Sequence, residues 1–157
     1  MGKILVVTNR KGGYGKSVTA ANLGVGLARQ GKKVLLIDTD NQHSLTVSMG
    51  VTEPDKLPVT LKTVIGDIIA KKDFDLTMGI ISHSEGVDLM PANDSLTGME
   101  LTLAPLMGRE IILRKYISKV KPLYDFIIID TSPTFDVLTI NALAAADTAL
   151  IPVAPKF

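Results

Sequence analysis

A short apolar run, Ile4-Leu5-Val6-Val7, leads into Lys11-Gly12-Gly13-Tyr14-Gly15-Lys16-Ser17, and a helix-patterned stretch from Thr19 to Ala28 leads out. Few local patterns constrain a fold as tightly. Strand, glycine-rich turn and helix in that order point backbone N–H groups and a helix N-terminus at one place, which suits an anion and above all a phosphate. Lys16 is positioned to reach terminal phosphates, and the Ser17 hydroxyl to ligate Mg²⁺. Gly12, Gly13, Tyr14, Gly15 and Val18 complete the expected nucleotide cradle. Val18 offers its backbone N–H but no side-chain hydroxyl.

The rest of the chain alternates in the same way. Candidate strands are Lys3–Thr8, Lys33–Asp38, Gly79–Ser82, Val87–Met90, Phe126–Asp130 and Ala149–Val153. Those at 3–8, 33–38 and 126–130 are almost unbroken Ile, Leu and Val, as expected for parallel strands covered on both faces. Candidate helices are Ser17–Gln30, Leu61–Lys71, Ser95–Leu106, Arg109–Val120 and Val137–Ala146. Gly31 stops the first, Asp94 is the expected N-cap of the third, and Val51–Thr60, with Pro54 and Pro58, reads as loop. The expectation is an α/β fold, doubly wound, with a mainly parallel sheet and helices on both faces. At 157 residues with no dividing linker, it is expected to form a single domain.

Three carboxylates stand at predicted strand ends. Asp38 closes the second strand and Asp40 follows two residues later, so both are expected to project to one side. Asp130 closes Tyr124-Asp125-Phe126-Ile127-Ile128-Ile129-Asp130. In doubly wound sheets ligands bind beyond the carboxyl ends of the strands, where these residues and the glycine-rich turn converge. A carboxylate there can hold Mg²⁺ through its waters or orient a water that attacks a phosphate. Alone, each could simply cap a strand; beside Lys16 and Ser17 they read as a site.

The turn departs from the common G-x-x-x-x-G-K-[ST] pattern: Arg10 stands where the first glycine would be, and a second lysine, Lys11, precedes the paired glycines. A lysine there cannot readily fold back on the phosphates its own loop wraps, so its natural target is a phosphate presented by another subunit. In this the sequence resembles the deviant Walker A P-loop ATPases that include ParA, Soj and MinD, and most closely the ParA and Soj partition ATPases. The segment Asp38-Thr39-Asp40-Asn41-Gln42 is similar to the family's D-x-D-P-Q, with Asn41 in place of proline, and Thr131-Ser132-Pro133 resembles its second switch. The resemblance implies ATP and Mg²⁺ as cofactors and a homodimer in the ATP state. It implies Lys11, Lys16 and Asp40 as catalytic residues, and Ser17, Asp38 and Asp130 on the metal side. A ParB-like activating partner, slow turnover without it, and a role in plasmid or chromosome partitioning follow from the same likeness. A MinD-like positioning ATPase at membranes, a cobyrinic acid amide-synthase type of enzyme and a nucleotide-gated binding module with little hydrolysis are the alternatives.

Composition narrows the field. A net charge of +1 does not describe a strongly basic nucleic-acid binder, and without cysteine there is no disulfide, iron–sulfur or thiolate–zinc chemistry. Arg109, Arg114, Lys115, Lys119 and Lys121 gather on one helix and its end, read first as a solvated face, with non-specific DNA as the alternative partner. His43 and His83 lack partners at metal-ligand spacing. No long apolar span or membrane-anchoring helix is legible, and the expected location is cytoplasmic. Ile151-Pro152-Val153-Ala154-Pro155, then Lys156 and Phe157, resembles a strand running out. The family pattern continues further, so its base pocket is expected beyond Phe157. Tyr14, where the family has a small apolar residue, either packs at a dimer interface or covers the loop.

Overall fold

The computed structural model describes residues 2–73 and 75–154, so Pro155, Lys156 and Phe157 of the predicted final run lie outside the described residues. Six strands form one sheet: β1 (Lys3–Val7), β2 (Val34–Asp38), β3 (Ile81–Ser82), β4 (Asp88–Met90), β5 (Phe126–Asp130) and β6 (Thr148–Leu150), in the order β3-β4-β2-β5-β1-β6. All neighbouring pairs are parallel except β3 with β4. The α-helices are α1 (Lys16–Arg29), α2 (Ser44–Ser48), α3 (Leu61–Ile69), α4 (Met99–Leu103), α5 (Ile112–Val120) and α6 (Val137–Ala145). The doubly wound, mainly parallel sheet expected from the sequence is the one that forms.

Strand alternation divides the core. Ile4, Val6, Leu35, Ile37, Ile127 and Ile129 face a layer built on α3, α4, α5 and α6. Val7, Val34, Leu36 and Ile128 face the opposite way, toward Ala20 of α1 and Leu45 of α2. Because both faces are covered, every residue of β2 is buried. Asp38 and Asp130 continue the Val34–Leu36 and Ile128 alternation, which aims them at the α1 side.

Several predicted elements change shape. The helix expected over 95–106 is a short 3₁₀ turn, Asp94–Leu96, followed by α4; Gly98, at φ 87°, separates them in a left-handed conformation that a continuous helix cannot hold. Its cap is Asn93 rather than Asp94, since the Asn93 side chain accepts the Ser95 N–H. The helix predicted over 109–120 begins as a 3₁₀ turn, Arg109–Ile111, before α5. The last strand runs over 148–150 rather than 149–153, ending before Pro152, which has no N–H to donate. A 3₁₀ turn at Pro54–Lys56 lies within the stretch read as loop, and the short helix α2 forms where no element is expected from the sequence.

Candidate functional site

The glycine-rich turn runs from the end of β1 into α1, and two of its glycines adopt left-handed backbone angles, Gly13 at φ 76° and Gly15 at φ 75°. A side chain is strained at such angles, so glycine there permits the curl. Asn9 anchors the turn from both sides: its Oδ1 accepts the Lys11 N–H at 2.9 Å, and its Nδ2 donates to the Pro152 carbonyl at 2.7 Å. Gly15 then stands as the N-cap of α1 without any capping side chain, leaving the first helical N–H groups open to an anion.

Sheet register brings the carboxylates to this turn. Asp130 pairs with Val7 on one side and Asp38 on the other, so all three lie on one rung. Hydroxyls stitch the rung together. Thr39 donates both its N–H and its hydroxyl to the Asp130 carbonyl, and the Thr131 hydroxyl donates to the Val7 carbonyl at 3.0 Å. The Ser17 hydroxyl at the start of α1 donates to Asp130 Oδ2 at 2.5 Å. Lys16 is nearly buried beside them, at 7% exposure.

Asp130 is fully buried and its Oδ1 accepts no hydrogen bond. Burial is the main reason its carboxyl is pushed up to about 7; repulsion from Asp38 and Asp40 adds to the rise, while Ser17 and Lys16 oppose it. A buried acceptor without a partner is costly. A cation that shares Ser17 and Asp130 would satisfy it, and that donor set suits Mg²⁺, which takes one or two protein oxygens and fills its octahedron with water and phosphate. Among the described residues no three His, Asp or Glu side chains cluster as a metal cage. The pairing of one hydroxyl with one carboxylate therefore fits a cation that arrives with a phosphate.

Asp38 is employed differently. It is fully buried, and its carboxyl is raised to about 6, chiefly by burial, against the lowering effect of hydrogen bonds from Thr46 and the Asp40 N–H. Its Oδ1 accepts the Asp40 N–H at 3.0 Å, and its Oδ2 accepts both the N–H and the hydroxyl of Thr46, at 2.9 and 2.7 Å. Asp40 is also nearly buried, and its Oδ1 accepts the Gln42 N–H at 2.9 Å. Ser17, Lys16, Asp38, Asp40 and Asp130 thus converge at the carboxyl ends of three central strands.

Lys11 stands apart. It is exposed, and its Nζ lies 5.8 Å from the centroid of the Tyr14 ring, within cation–π range. Gly12 and Gly13 are exposed on the same rim, and Val18 is 61% exposed in the first turn of α1. Sequence reasoning missed Thr46, Asn9 and the stitching role of Thr39 and Thr131. The last two had a signal, since each follows directly on a strand-end aspartate.

The chain's similarities agree with this geometry. A family model described as an AAA domain matches residues 2–157. The sporulation initiation inhibitor protein Soj of Bacillus subtilis is 40% identical over 153 residues, covering 98% of this chain and 58% of Soj. The chromosome partitioning protein ParA of Caulobacter vibrioides is 32% identical over 157 residues, covering 99% of this chain and 57% of ParA. The crystal structure of cobyrinic acid a,c-diamide synthase from Mycobacterium smegmatis, with bound ADP and magnesium, superposes with a TM-score of 0.89 at 39% identity, covering 98% of this chain and 60% of that one. The chain therefore spans less than two thirds of the length of these relatives. Among the described residues no helix is long and apolar enough to cross a membrane. With its P-loop, its strand-end carboxylates and these relatives, the chain belongs to the ParA/Soj family of deviant Walker A P-loop ATPases.

Proposed function

We propose that the chain binds and hydrolyses ATP with Mg²⁺, and that ATP drives two copies together face to face in a cytoplasmic partitioning switch of the ParA/Soj type. The observation that carries the reading is the unpartnered Asp130 oxygen beside Ser17, at the mouth of a turn whose N–H groups are open. The magnesium bound to the M. smegmatis relative supports the same assignment here. When bound, the cation would neutralise phosphate charge, with Ser17 and Asp130 as its ligands and Asp38 behind them adding negative charge.

Each residue then has a task. The backbone from Gly12 to Val18 wraps the phosphates, and Lys16 offsets the charge on the terminal ones. Asp40 orients the attacking water. Lys11, exposed on the rim, reaches the partner's nucleotide, offsets the repulsion between two bound triphosphates and stabilises charge that develops during transfer. Hydrolysis releases the segment around Thr131-Ser132-Pro133 and the dimer parts. A ParB-like protein accelerates the step, and DNA is the surface on which the cycle acts.

Sedimentation of the chain without nucleotide, with ADP, and with ATP and Mg²⁺, beside Lys11→Ala and Asp40→Ala, tests this. The expected result is an ATP-specific dimer that Lys11→Ala abolishes and Asp40→Ala prolongs. A chain that stays monomeric in ATP, or a Lys11→Ala variant that dimerises and hydrolyses like the parent, refutes the switch. The amide-synthase name of the M. smegmatis neighbour favours a second reading, in which ATP activates a carboxylate. Activation within one subunit needs no ATP-specific dimer, so the same run separates the two.

A further inference from the structure

The segment from Asp38 to Thr46 is pinned to a single carboxylate at both ends. Asp38 Oδ1 takes the Asp40 N–H, and eight residues along the chain Thr46 returns its N–H and hydroxyl to Asp38 Oδ2. Between them the backbone is wound tight. Gln42 N–H donates to Asp40 Oδ1 and His43 N–H to the Asp40 carbonyl, both at 2.9 Å, while His43 itself sits at φ 43°. The Thr46 hydroxyl also accepts the Ala92 N–H at 3.0 Å, which ties the segment to the chain leaving β4. Thr46 is fully buried, so no water replaces these bonds.

We propose that Thr46 is a positioning residue for hydrolysis: its hydroxyl, bridging Asp38 and the Ala92 amide, holds Asp40 where the attacking water must be. The inference rests on the reading of Asp40 given above. Thr46 touches no phosphate; it acts through the loop. Displacement of a reacting group by about 1 Å costs on the order of 100-fold in rate, so loosening this loop reaches the chemical step without touching the phosphate cradle. Thr46→Val keeps the shape and removes both hydroxyl bonds, whereas Thr46→Ser keeps the hydroxyl.

The test measures ATP turnover, nucleotide affinity with a fluorescent ATP analogue, and backbone hydrogen exchange for the parent, Thr46→Val, Thr46→Ser and Asp40→Ala. Thr46→Val should lower kcat by at least about tenfold while KM and analogue affinity stay within about twofold. Amides in 40–46 and at Ala92 should exchange at least about tenfold faster, and Thr46→Ser should restore both readouts. Unchanged exchange and turnover in Thr46→Val, beside an inactive Asp40→Ala, overturn the inference alone. Parallel loss of affinity and turnover that Thr46→Ser does not rescue also overturns it, because that pattern is general damage. A parent without Asp40-dependent turnover overturns the reading of Asp40, and the exchange data then decide whether Thr46 still clamps the loop.

Discussion

Replacing Asp130 by asparagine should stabilise the metal-free protein in mild alkali while removing its response to Mg²⁺. The carboxyl is fully buried and raised from 3.8 to about 7, first by burial. An acid whose folded-state pKa lies above its unfolded value holds its proton longer when folded. Its stability term is therefore intact in acid and falls as pH rises between the two values. One pKa unit is worth about 1.4 kcal/mol, so the whole rise corresponds to roughly 4 kcal/mol, of which about 2–3 kcal/mol accrues between pH 5 and 7. Asparagine has nearly the same shape, can still accept from Ser17, and does not ionise. Urea unfolding of both proteins in a chelator should show the stability difference shifting by about 2–3 kcal/mol toward Asp130→Asn between pH 5 and pH 8. Repulsion between Asp38 and Asp130 is part of the rise at Asp130 and disappears with the Asp130 charge, so it contributes to the difference in the same direction. ATP with Mg²⁺ should raise the midpoint of the parent and leave the variant nearly unmoved. A difference that stays constant across this range, or shifts in favour of the parent as pH rises, refutes the account of a buried, unneutralised carboxylate.

Asn141 offers a second measurement: its Oδ1 accepts the Leu113 N–H, and its Nδ2 donates to the Arg109 and Val137 carbonyls, joining α6 to the start of α5. Asn141→Leu should cost about 3–5 kcal/mol in urea unfolding, because several buried backbone groups lose a partner at once. Asn141→Asp, which turns an oxygen toward two carbonyls, should recover part of its loss in acid. Within α1, Gly26→Ala should stabilise by about 0.5–1 kcal/mol, since nothing lies within 4 Å of the new methyl. Gly24→Ala should give a net loss of about 1 kcal/mol, because its Cβ would come 2.7 Å from Leu36 Cδ2 in a packed core. Equal melting temperatures for the two alanine variants would refute the packing argument.

What could be read from the sequence was what local chemistry dictates. The strands rich in Ile, Leu and Val at 3–7, 34–38 and 126–130 appear within a residue of expectation, because continuous apolar runs have few other uses. The glycine-rich turn was legible for the same reason: few other residues tolerate its backbone angles. The helix over 95–106 failed because its apolar spacing ignored a single left-handed glycine at 98. The helix α2, only five residues long, owes its place to Asp38 and Thr46 rather than to propensity, and no periodicity shows over one turn. The rung joining Val7, Asp130 and Asp38 is a matter of register between distant strands, which side-chain pattern alone does not fix.

That rung has a temporal consequence. The glycine-rich turn is complete by the time the first helix is made, yet the Ser17 hydroxyl meets a carboxylate 113 residues further along the chain. A protein emerging from the ribosome at about 5–20 residues per second therefore carries an exposed glycine-rich turn for several seconds before Asp130, the acceptor of the Ser17 hydroxyl, exists. On the function proposed above, Mg²⁺ carried in with nucleotide would find its carboxylate only in a chain whose three central strands have already aligned. Such a ligand would be a late-arriving judge of assembly, and protection by it would report that β5 has paired with both β1 and β2.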